Sequence, residues 1–154
     1  MPNPNQKKKK SKPPGLQNFK KKLLLTYEVD SFSTVYFVTS AKHFYFEGQA
    51  EIVFNMLMTF FNRNDYCRFE ILLNLIDVLF QECPRAPYKG YQDYFRPFFP
   101  VIFYRTFRFG IDKDTLRAEI ILRKWKEAGF LDSREYSIIR NEIDRALRFW
   151  GIHK

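Results

Sequence analysis

The chain has 154 residues, 45% of them hydrophobic, and carries 18 Phe, 9 Tyr and 2 Trp against only 6 Gly and 8 Pro. That length suits one domain with a single sizeable core, and so few turn formers exclude a many-stranded sandwich in favour of an all-α domain. Net charge is +9, yet residues 1–22 hold eight lysines and no acid, so the remaining chain is nearly neutral and argues against a dedicated nucleic-acid surface there.

The first fifteen residues, MPNPNQKKKKSKPPG, contain no apolar run and so read as neither a secretory signal nor an anchor. Pro13, Pro14 and Gly15 close this segment, which is expected to be a disordered arm, with the helical domain over residues 16–154. Its run Lys7, Lys8, Lys9, Lys10 suits nuclear import, a salt-sensitive phosphate contact such as RNA, or a solubilising tail. Cys67 and Cys83 have no second pair and, without an export signal, are expected to be reduced in cytosol or nucleus. No apolar stretch approaches the roughly 20 residues of a membrane span, so no membrane partner is expected.

Leu16, Phe19, Leu23, Leu24 and Tyr27 recur at helical spacing between lysines. The next segment, SFSTVYFVTSAKHFYF, suits a strand by composition, but the three-residue step through Val35, Val38 and Ala41 predicts a helix. Residues 47–62 are apolar almost all round, as in a helix buried on most faces. Asp65 is placed to cap a helix in which Phe69, Leu72, Leu73, Ile76, Leu79 and Phe80 form one stripe, ending before Pro84.

Tyr91, Phe95, Phe99 and Phe103 follow a four-residue step, and Pro97 with Pro100 predicts a break between Phe95 and Val101. Gly110 closes that helix, and Asp112 or Asp114 starts another with Ile121, Leu122, Trp125 and Ala128 inward and Gly129 as its stop. Asp132 and Glu135 form a capping box for a last helix lined by Tyr136, Ile139, Ile143, Leu147 and Trp150, ending at Gly151.

Little in this pattern suggests an enzyme. The glycines are isolated, His43 and His153 lack metal-ligand spacing, and nothing local pairs Cys67 with His43. Asp112 and Asp114 read as caps, so no catalytic residue, metal or cofactor is expected. The unusual feature is ILLNLIDVL at residues 71–79, which holds one carboxylate, Asp77. Asn74, Asp77 and Gln81 lie along one side of the helix, either as its solvated edge or as a hydrogen-bonding strip beside an apolar groove.

The order of features resembles the RNA polymerase II C-terminal-domain-interacting domain (CID) family, related to the VHS and ENTH folds. The resemblance rests on Ser31, Val35, Val38 and Thr39, then Ala50, Ile52 and Val53, then Ile76-Asp77-Val78-Leu79. It continues through the four-residue aromatic step and ends at Leu122, Trp125, Gly129 and Phe130. It implies a right-handed array of seven to eight helices and a nuclear adaptor that couples transcription to RNA processing. Its partner would be the phosphorylated heptad-repeat tail of RNA polymerase II or a similar tyrosine-containing peptide.

Carried over by position, the resemblance makes Asp77 the acceptor for a tyrosine hydroxyl, with Thr39, Asn74 and Gln81 lining the groove. Ile120 stands where phosphoserine readers of the family carry an arginine, so Arg117, Arg123 and Lys124 become the phosphate candidates. Two alternatives stand beside this reading. One is a CID-like scaffold subunit of a larger assembly, such as a kinase complex acting on the polymerase tail, with a degenerate groove. The other is an RNA-binding protein that uses its lysine arm.

Overall fold

A computed structural model describes residues 17–18, 31–62, 69–83 and 90–151, and all regular structure within them is helical. Helix α1 spans Ser31–Phe46, α2 Ala50–Phe61, α3 Phe69–Glu82 and α4 Tyr91–Phe95. A 3-10 turn over Arg96–Phe98 leads into α5, Phe99–Phe109, followed by α6, Asp112–Glu127, and α7, Ser133–Phe149. The lysine arm, Asp65, Cys67 and His153 lie outside the described residues, as does the helix expected from Leu16 except for Gln17 and Asn18. No helix among the described residues is long and apolar enough to cross a membrane.

The ambiguous segment is helical throughout α1, but its inward face differs from the expected one. Phe37, Ala41, Phe44 and Tyr45 are buried, whereas Val35 is 64% exposed. Two phenylalanines seven residues apart bury far more apolar area than one valine and set the helix rotation. Helix α2 is also less enclosed than its composition suggests. Val53, Phe54 and Leu57 face the core, while Glu51, Asn55 and Thr59 recur every four residues as a solvated stripe.

Helix α3 buries its whole expected stripe and adds Ile71 and Leu75. Its start is secured from a distant part of the chain. The Glu70 amide donates to Asp114 Oδ1 at 2.8 Å, 44 residues away, and the Ile111 amide donates to Asp114 Oδ2 at 2.9 Å. One buried carboxylate thus satisfies an orphan donor at the beginning of both α3 and α6.

Pro97 interrupts the aromatic helix where expected, and the 3-10 turn keeps Tyr91, Phe95, Phe99 and Phe103 all in the core. The Tyr91 hydroxyl donates to the Ala41 carbonyl at 2.7 Å, tying α4 to α1, and burial raises its pKa. Arg96 Nη1 donates to both Glu135 carboxylate oxygens at 2.8 and 2.7 Å and to the Phe130 carbonyl at 2.7 Å, clamping the turn to the start of α7. Behind it, Trp125 is wholly buried with ring centroids of Phe80 and Phe99 at 5.0 Å and Phe103 at 5.9 Å.

Two side-chain placements near helix ends correct the sequence reading. Ala128 is exposed, because α6 ends in a Schellman turn: Phe130 N–H bonds Trp125 O, Gly129 N–H bonds Lys126 O, and Gly129 takes φ +79°. Trp150 is 58% exposed, because the inward face of α7 runs through Ile139, Ile143 and Ala146 and the helix ends at Phe149. The Asp132–Glu135 capping box is present, with Glu135 N–H donating to Asp132 Oδ1 at 2.7 Å. Helix α5 packs most extensively against α7, and α3 against α6.

Gly110 joins α5 to α6 with no room for a side chain. An added Cβ would sit 2.4 Å from the Thr106 carbonyl oxygen and 2.9 Å from Asp114 Cβ. Gly110→Ala is therefore expected to cost about 2 kcal/mol of unfolding free energy, measured by urea denaturation, since backbone and a buried carboxylate must both shift. Cys83 offers a second check. Burial pushes its thiol up to about 11 from 9.0, so in a Cys67→Ser background it should label with a thiol reagent at neutral pH only as fast as the fold opens. The unfolded thiol ionises first, so this group removes stability as pH climbs from about 9 towards 11.

Candidate functional site

The side of α3 that carries Asn74, Asp77 and Gln81 meets α6 at Lys124 and Trp125. Asp77 Oδ1 accepts the Trp125 indole N–H at 2.9 Å. Asp77 Oδ2 accepts Lys124 Nζ at 2.7 Å and Gln81 Nε2 at 3.1 Å. The residue is only 8% exposed, and an ammonium and an indole donor meet its two oxygens inside a largely apolar wall. A fully buried tryptophan carries a donor that needs an acceptor, and Asp77 supplies it.

The Asp77 carboxylate is engaged by three protein donors, so a ligand hydroxyl would have to displace one of them. Lys124, expected to meet phosphate, instead holds Asp77, although its side chain remains 48% exposed. The structure brings Asp77, Gln81 and Lys124 together. Asn74 is half-buried one turn earlier on α3. Thr39 is exposed on α1, where its hydroxyl donates to the Val35 carbonyl at 2.8 Å.

Arg117 and Arg123 flank Ile120 on α6, and neither joins an ion pair among the described residues. Around them, Leu116 and Ile120 are 64% and 48% exposed, giving α6 an outward face of aliphatics edged by cations. Sequence reasoning placed Trp125 in the core and in the family pattern and Ile120 where an arginine was expected, but missed the exposed aliphatic pair of Leu116 and Ile120. Their four-residue spacing on an otherwise polar face was the available signal.

Among the described residues, no three His, Cys, Asp or Glu side chains converge on a metal-sized site. An open cavity of about 300 Å³ lies away from Asp77, between the 3-10 turn and α7, lined by Pro97, Phe99, Pro100 and Ile138 with the Arg96–Glu135 pair at its edge. Its lining is almost wholly apolar, so the hydrogen-bonding chemistry belongs to the α3–α6 seam instead. Comparison with protein-family models, curated proteins and solved structures finds no match to this chain.

Proposed function

We propose that the α3–α6 seam binds a short tyrosine-containing peptide, and that the chain is a CID-like nuclear adaptor for the phosphorylated heptad tail of RNA polymerase II. The observation that carries this reading is the Asp77–Trp125–Lys124 network on the same helix as an outward face of exposed Leu116 and Ile120 edged by Arg117 and Arg123. A tyrosine hydroxyl would donate to Asp77 Oδ2 in place of Gln81 or Lys124. The released ammonium would then join the two guanidiniums against a phosphate, which suits their fork geometry. The exposed aliphatics would cover the peptide's apolar side chains.

Titration of phosphorylated and unphosphorylated heptad peptides against wild type, Asp77→Asn and Arg117→Ala/Arg123→Ala tests this. Asp77→Asn should weaken both peptides by roughly 10-fold, as expected for a hydrogen bond to a charged acceptor. The double arginine variant should abolish only the preference for phosphate. Absence of binding by wild type would leave the scaffold-subunit reading, which is favoured by Lys124 already occupying Asp77.

A further inference from the structure

The carboxyl-terminal ends of α5 and α7 carry a second, unrelated surface. Phe109, Ile111, Phe149 and Trp150 are 55%, 65%, 61% and 58% exposed. The Arg108 guanidinium lies 3.3 Å from the Phe149 ring centroid, 4.7 Å from Phe109 and 5.2 Å from Trp150. Arg105 adds a contact of 5.2 Å to Phe109, and Arg145 stacks 4.0 Å over Tyr104 farther along the same seam. Rings and guanidiniums therefore alternate along one exposed edge.

We propose that this edge is a stacking platform for one or two unpaired bases of single-stranded nucleic acid, with Arg108 and Arg148 meeting the flanking phosphates. Three observations favour a polyanion with flat aromatic faces over other occupants. The Trp150 indole N–H is already bonded to the Arg108 carbonyl at 2.9 Å, so the ring offers a partner its face rather than its donor. Stacking requires only that face, whereas an interfacial tryptophan in lipid turns its N–H towards water or headgroups.

Two of the cations beside the rings are also available. No ion pair among the described residues engages Arg108 or Arg148, whereas Arg145 pairs with Glu142 at 2.7 Å. The near-neutral charge of residues 23–154 is a sum over the whole surface and leaves room for two unpaired guanidiniums beside these rings. Finally, guanidinium stacked on a ring extends the flat surface available to a base.

The full chain should be titrated with a short fluorescein-labelled oligouridylate and oligoadenylate by anisotropy, following tryptophan emission in parallel. Trp125 is wholly buried, so quenching on binding should come from Trp150 and disappear in Trp150→Leu. Phe149→Ala/Trp150→Ala should lower affinity by roughly 10-fold or more while leaving the salt dependence unchanged. Arg108→Gln should reduce the salt slope by about 1. Circular dichroism and the urea midpoint establish that each variant is folded.

Deleting residues 1–22 separates the lysine arm from the platform: the shortened chain should retain tryptophan quenching on binding. The proposal is overturned if the double variant binds as tightly as wild type, or if neither oligonucleotide binds. It is overturned equally if the double variant instead abolishes a dimer seen by sedimentation, or loses binding to anionic vesicles while its oligonucleotide affinity is unchanged.

Discussion

Asp77→Ala should lower the unfolding free energy by about 3 kcal/mol, whereas Asp77→Asn should cost only about 1 kcal/mol. Alanine strands the Trp125 indole N–H inside the core and removes the acceptor for Lys124 and Gln81. Lys124 is half-exposed and can turn to water, so the indole donor accounts for most of the loss. Asparagine keeps one oxygen for that donor. Urea denaturation of both variants in wild-type and Trp125→Phe backgrounds isolates the coupling. Asp77→Ala should cost at least 1 kcal/mol less when phenylalanine has already removed the donor. Equal costs in the two backgrounds would mean that the indole bond contributes nothing.

A comparable loss is expected at the other end of the same seam. Asp114→Ala should destabilise the fold by about 3 kcal/mol, since the Glu70 and Ile111 amides both lose their acceptor. Asp114→Asn retains one acceptor oxygen and should recover about half of that. The measurement that separates this from ordinary core loss is amide exchange at Glu70. Its protection should fall in Asp114→Ala by more than that of buried amides in the middle of α3. An unchanged Glu70 amide would show that α3 is capped by something else.

Helix placement was largely legible because long apolar periods and strong punctuation agree. Pro97, Gly110, Gly129 and the Asp132–Glu135 pair all act where local chemistry puts them. What failed was rotation about the helix axis. Val35 and Trp150 fit the three- and four-residue steps but face solvent, since rotation is decided by which aromatic side chains on neighbouring helices must be covered.

The Asp77 seam was half legible. An acid inside an aliphatic run marked the position, and its side of the helix followed from spacing. The partners did not, because Trp125 and Lys124 lie 48 and 47 residues away and only the packing of α6 on α3 brings them in. The Asp114 link to Glu70 was hidden for the same reason. Arg96 was hidden too: its acceptors, Phe130 and Glu135, lie 34 and 39 residues away.

The Asp114–Glu70 bond also bears on the order in which the chain can mature during synthesis. The start of α3 emerges from the ribosome well before Asp114 does, with α4, the 3-10 turn and α5 translated between them. Until α6 follows, the nascent α3 lacks both the carboxylate that caps its start and the indole N–H that donates to Asp77. The apolar wall of α3 is then exposed on a helix that frays at its beginning, which is the condition under which a nascent chain recruits a holding chaperone. Completion of α6 removes that exposure by supplying Asp114, Lys124 and Trp125 from a single helix.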